Sequence, residues 1–94
     1  MDSYLIAYDI CHTKRLGKVA RTCEDFGFRK QYSVFLCRLS ATELVRLKSR
    51  LYELIDPQVD QVLFIPLCDR CAAAIEALGR PVEKFDAKDV VIVT

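Results

Sequence analysis

Apolar residues dominate both alternating faces of Tyr4-Leu5-Ile6-Ala7-Tyr8-Asp9-Ile10, with Tyr4, Ile6, Tyr8 and Ile10 on one side and Leu5, Ala7 and Asp9 on the other. A strand apolar on both faces belongs in the middle of a covered sheet. From about Lys14 to Phe26 the period changes to that of a helix. Leu16, Val19, Ala20, Cys23 and Phe26 form its buried stripe, while Lys14, Lys18, Arg21 and Asp25 turn to solvent. Gly27 suits a left-handed residue just past the helix end. Residues Arg29 to Cys37 carry β-formers on both faces and read as a second strand.

Ser40-Ala41-Thr42-Glu43 has the form of a capping box, followed by a helix with Leu44, Leu47, Leu51 and Leu54 on its apolar edge and Asp56-Pro57 at its end. Gln61 to Leu67 reads as a third strand, with Pro66 placing that end at a sheet margin or bulge. Asp69 is positioned to cap a short helix running to Leu78, closed by Gly79 and Pro81. Residues Val82 to Phe85 and Val90-Val91-Ile92-Val93 suggest one or two terminal strands. The order βαβ, then αβ, predicts a single α+β domain over residues 1–94, a ferredoxin-like split βαβ arrangement (βαββαβ), with 82–94 as terminal strand segment. That fold leaves one sheet face open. Because the strands are apolar on both faces, a two-fold homodimer with face-to-face sheets is expected, its terminal strand adding to its own or the partner's sheet edge.

Composition narrows the class. At 52% hydrophobic and 29% charged residues, the 94-residue chain is an ordinary globule rather than a disordered one. No apolar run approaches the ~20 residues of a membrane span, and Met1-Asp2-Ser3 lacks the basic start of a signal peptide. Five scattered cysteines predict reduced, core-like thiols and a cytoplasmic location. Charge is polarised: residues 14–50 hold ten basic side chains against three acidic ones. A basic half is the electrostatic footprint of a phosphate-backbone partner, although two solvated helix faces give the same count.

Chemistry-bearing residues are few. His12 is the only histidine and reads as a solvated loop residue. Cys68-Asp69-Arg70-Cys71 is a C-x-x-C pair without the second pair that zinc needs, and is read as buried structural thiols. Asp9 supports two readings. It is either a helix-terminal acid near the free N–H groups around Thr13, or a ligand for a hard cation. A dimer axis near the strand ends would pair two copies of Asp9, enough to hold Mg²⁺ and ready a water for in-line attack on a phosphodiester.

Tyr4–Ile10 with its Tyr8-Asp9 ending, the run Arg29-Lys30-Gln31-Tyr32-Ser33-Val34-Phe35, and Leu63-Phe64-Ile65-Pro66-Leu67-Cys68 together resemble the small CRISPR-associated adaptation protein family, Cas2, across the whole chain. The resemblance implies a ferredoxin-like homodimer whose C-terminal strand can join the partner's sheet, with Asp9 as the acid paired across the dimer and associated with Mg²⁺. It implies Tyr8, Arg15, Arg29, Ser33 and Phe35 as residues near nucleic acid or the dimer cleft. Adding the basic helix positions, the expected nucleic-acid-binding set is Tyr8, Lys14, Arg15, Lys18, Arg21, Arg29, Ser33 and Phe35, with Asp9 as catalytic and metal residue. Two functions of different class follow from the family. One is a Mg²⁺-dependent endonuclease on single-stranded RNA or double-stranded DNA. The other is a non-catalytic scaffold bridging integrase (Cas1) dimers on DNA during spacer acquisition. A toxin-like mRNA ribonuclease is a third reading, needing exposed aromatics such as Tyr8 or Phe35 for base stacking.

Overall fold

A computed structural model of the chain describes residues 1–79. The one or two terminal strands expected over Val82–Phe85 and Val90–Val93 lie outside the described residues. The elements are β1 (Asp2–Asp9), α1 (Thr13–Glu24), β2 (Gly27–Gln31), β3 (Val34–Leu39), α2 (Ala41–Leu54), β4 (Gln61–Leu67) and the short α3 (Asp69–Ala73). One antiparallel sheet runs in the order β2-β3-β1-β4. That βαββαβ order, with β1 central, is the ferredoxin-like arrangement expected from the sequence.

Residues Arg29 to Cys37 are not one strand. They fold into the β2–β3 hairpin through Tyr32 and Ser33, with a bulge between Arg29 and Gln31. Ser33 ties the hairpin tip to the central strand by accepting a 3.1 Å bond from the Tyr8 N–H. Gly27 does not take the left-handed conformation; among described glycines only Gly79 does. A Cβ on Gly27 would overlap Cys37 Sγ and the Leu36 carbonyl oxygen, so this glycine permits close approach of β2 to β3.

Both long helices lie on one face of the sheet. Ile6 and Tyr8 of β1 pack there with Phe35, Cys37 and Leu39 of β3, Val19 and Cys23 of α1, and Leu47 and Leu51 of α2. Burial pushes the Cys23 and Cys37 thiols up to about 12, so these two are inert core groups. The capping box of α2 is present: Ser40 Oγ accepts from the Glu43 N–H at 3.1 Å, and Glu43 Oε1 accepts from the Ser40 N–H at 2.9 Å. β4 has the bounds read from the sequence, and Pro66 sits on an edge strand opposite Tyr4. The third helix is shorter than expected, and its N-cap is Cys68 rather than Asp69.

The opposite face of the sheet is exposed along the edge strand β4, while at its centre Leu36 is 3% exposed and Leu5 and Ala7 are half-buried. Leu5 is in register with Leu36 and Ile65, and Ala7 with Val34 and Leu63. Leu63 and Ile65 are 47% and 42% exposed. The central strand is therefore apolar on both faces, as its sequence requires, and among the described residues the two long helices cover only one of them.

Candidate functional site

Asp9 ends β1, opposite Gln61. The strand alternation puts its carboxylate on the open face, on the same side as Leu5 and Ala7. It is exposed and makes no side-chain hydrogen bond or ion pair with any described residue. The helix-cap reading of Asp9 is overturned, because His12 caps α1. Its Nδ1 accepts from the Lys14 N–H at 3.2 Å. His12 thus has a structural task that a solvated loop residue lacks. Among the described residues no three His, Cys, Asp or Glu side chains gather to hold a metal. Among the described residues, the end of β1 supplies one carboxylate, that of Asp9, with no side-chain partner. That fits Mg²⁺, which often takes one or two carboxylates and fills its octahedron with water and phosphate oxygens.

Tyr8 is Asp9's neighbour in sequence and points to the other face. It is 6% exposed, lies against Phe35 with ring centroids 6.2 Å apart, and has no hydrogen-bond partner for its hydroxyl among the described residues. Burial raises the Tyr8 pKa, opposed by the Arg29 charge. Phe35 is fully buried. Neither ring offers a face for a base to stack on, which removes the aromatic platform that a single-strand ribonuclease reading asks of them. The exposed aromatic here is Tyr32, at the hairpin tip.

Arg29 connects these rings to the surface. Its guanidinium lies 5.1 Å from the Phe35 ring centroid and 6.0 Å from that of Tyr32, and Nη1 donates to the Tyr32 carbonyl at 2.7 Å. Tyr8, Thr13, Leu16, Arg29 and Tyr32 help to line a cavity of about 240 Å³ beside α1. Ser33 contributes its carbonyl to Tyr8, as described above.

The basic residues of α1 divide into two groups. Lys14, Lys18 and Arg21 are exposed and, at spacings of four and three, share one helix face. Arg15 is different. Nε donates to Asp60 Oδ2 at 2.7 Å and Nη2 donates to Oδ1 at 3.2 Å. Asp60 also accepts from the Cys11 and Asp56 N–H groups, at 2.9 and 2.8 Å. Its side chain is fully buried. The Arg15 guanidinium, with help from these backbone donors, holds the Asp60 carboxyl well below the usual carboxylate range. Asp60 escapes the sequence reading entirely, and the only local hint is an acid closing the Asp56–Asp60 loop. On α2, Arg50 is occupied by Asp25 at 3.0 Å and by the Phe26 ring, and Lys48 by the Phe64 ring.

The family model for "CRISPR associated protein Cas2" matches residues 1–75. The chain belongs to the Cas2 family. Among curated relatives it is 35% identical to the Rhodospirillum rubrum protein named CRISPR-associated endoribonuclease Cas2 1, covering 96% of this chain and 90% of that one. It is 39% identical to the Halalkalibacterium halodurans protein named CRISPR-associated endonuclease Cas2, covering 80% and 83%. The crystal structure of Streptococcus pyogenes Cas2 superposes with a TM-score of 0.76 at 36% identity, over 82% of this chain and 99% of that one. The Cas2 match stops before the tail but includes every candidate site residue. Among the described residues, no helix is long and apolar enough to cross a membrane.

Proposed function

We propose that this Cas2 family member is a Mg²⁺-dependent endonuclease of a CRISPR system, acting as a two-fold homodimer closed through the open sheet face. The observation that carries this reading is the exposed, unpartnered Asp9 carboxylate at the rim of that apolar face. Docking two such faces buries Leu5, Leu63 and Ile65 against their copies and brings the two Asp9 carboxylates to a common rim. Together they would hold Mg²⁺, which would supply Lewis-acid polarisation of a phosphodiester and ready a water for attack. The protein's own part is to fix the carboxylates through β1 and to bind the nucleic-acid backbone through Lys14, Lys18, Arg21 and Arg29. Arg15 serves by holding the start of α1 to the loop before β4. Tyr8, Phe35 and Ser33 set the hairpin and the Arg29 side chain.

A second reading is favoured by one observation: Asp9 and the α1 basic stripe lie on opposite faces of the sheet. A duplex lying on the helix side does not reach the Asp9 carboxylate of the same chain. In this reading the dimer is a scaffold that holds DNA between Cas1 integrase dimers during spacer acquisition.

The test compares wild type with Asp9→Asn on labelled single-stranded RNA and duplex DNA, with Mg²⁺ and with EDTA, following binding and cleavage together. Cleavage that requires Mg²⁺ and is lost in the variant while binding persists supports the nuclease. Tight duplex binding without cleavage in either protein replaces it with the scaffold.

A further inference from the structure

The C-x-x-C pair is not buried, contrary to its sequence reading. Cys68 and Cys71 are both exposed, at the point where the chain leaves β4. Cys68 repeats, in sulfur, the N-cap half of the α2 capping box. Cys68 is the N-cap of α3, with extended backbone (φ −71°, ψ 163°), and its Sγ accepts from the Cys71 N–H at 3.3 Å. Cys71 occupies the position that Glu43 holds in α2. The bond from its backbone N–H holds Cys68 Sγ against the residue that carries the second thiol.

We propose that Cys68 and Cys71 form a reversible dithiol–disulfide couple that exchanges with low-molecular-weight disulfides. The Cys68 thiolate attacks one sulfur of the small disulfide, forming a mixed disulfide and releasing one small thiolate. Cys71, after losing its proton to solvent, attacks the Cys68 sulfur and expels the second small thiolate. The protein loses two hydrogens and two electrons, and the small disulfide becomes two thiols. The order of attack follows from the contacts. The Cys71 backbone N–H and thiol both donate to Cys68, which lowers the pKa of Cys68; serving as donor raises that of Cys71. Closing the bond takes side-chain rotation that brings the two exposed thiols to the ~2.05 Å of a disulfide.

The couple lies far from Asp9. Leu67, which precedes Cys68, is in register with Ser3, at the opposite end of β1. Six residues of strand separate Ser3 from Asp9, or ~20 Å at the usual rise. The couple therefore stands or falls independently of the nuclease reading.

The test equilibrates the full-length protein in glutathione buffers of graded redox poise, followed by acid quenching, alkylation and peptide mass mapping. The expected result is a Cys68–Cys71 link with loss of two hydrogens in wild type, and glutathione trapped on Cys68 in Cys71→Ser. The proposal is overturned if wild type stays reduced throughout, if glutathione accumulates on Cys68 without the 68–71 link, or if oxidation joins Cys11 or a second chain instead.

Discussion

Arg15 and Asp60, 45 residues apart in the chain, form a two-point ion pair in which Nε and Nη2 donate to separate carboxylate oxygens. The pair joins the first turn of α1 to the loop preceding β4, beside the chain that leaves Asp9. It sets the direction of the basic helix relative to the central strand.

Replacing Asp60 should therefore cost stability before it costs chemistry. Asp60→Asn leaves the Arg15 guanidinium without its partner and weakens two backbone contacts, and a fall in Tm of more than ~5 °C is expected for a domain of this size. The pH dependence has a definite sign. The carboxyl is held below its unfolded value, so its stabilisation is complete above the ordinary carboxylate pKa of ~3.9 and drains away as pH falls below it. Wild type should lose stability steeply through that acid range and the variant less steeply. Calorimetry or chemical denaturation from pH 6 to about pH 2 checks this. Parallel curves would remove Asp60 as the source.

Gly27→Ala tests the close approach of β2 to β3. The added methyl meets Cys37 Sγ and the Leu36 carbonyl oxygen, and the latter is backbone and cannot swing away. A loss of ~1–3 kcal/mol is expected, with the hairpin displaced rather than the helix end disturbed. Denaturation gives the magnitude, and amide hydrogen exchange in β2 shows where the displacement falls.

Local patterns carried most of the fold. A continuous apolar run from Val62 to Leu67 gave β4 its bounds, and Ser40 with Glu43 announced α2 because a capping box is complete within four residues. The hairpin was hidden because Tyr32-Ser33 contains no Gly, Asn, Asp or Pro to mark a turn between two β-rich runs. Gly27 marked the end of α1, yet its conformation is dictated by Cys37, a neighbour only across the sheet. Asp60 was illegible for the same reason, since its meaning depends on Arg15 in a different element. At the candidate site, alternation along β1 separated Asp9 from Tyr8 correctly. The exposure of Cys68 and Cys71 depended on where β4 ends, which composition does not reveal.

The open face makes a separable prediction about assembly. Ile65→Asp places a charge on an apolar surface in register with Leu5, without touching the helix-side core. In a dimer closed through this face, dissociation should strengthen by at least ~30-fold, as for loss of a central contact worth ~2 kcal/mol. Val45→Asp, at a more exposed apolar position on α2, should leave the mass unchanged. Sedimentation equilibrium on both variants decides it, and a concentration-independent dimer of Ile65→Asp would move the interface elsewhere.

The last prediction uses the separation of Asp9 from the basic stripe. Each phosphate neutralised by a lysine or arginine releases counterions, so duplex affinity falls with salt with a slope of ~0.9 per contact. Changing Lys14, Lys18 and Arg21 together to Gln should reduce that slope by roughly 2–3 for each chain that engages the duplex, weakening binding similarly for unrelated sequences. All three are exposed and outside the core, so the fold should tolerate the change. Asp9→Asn removes no positive charge, and its salt slope should match that of wild type. An unchanged slope in the triple variant would mean that the duplex is held by another surface. A reduced slope with metal-dependent cleavage retained at low salt would divide the labour between two faces, with the stripe binding and Asp9 supporting catalysis.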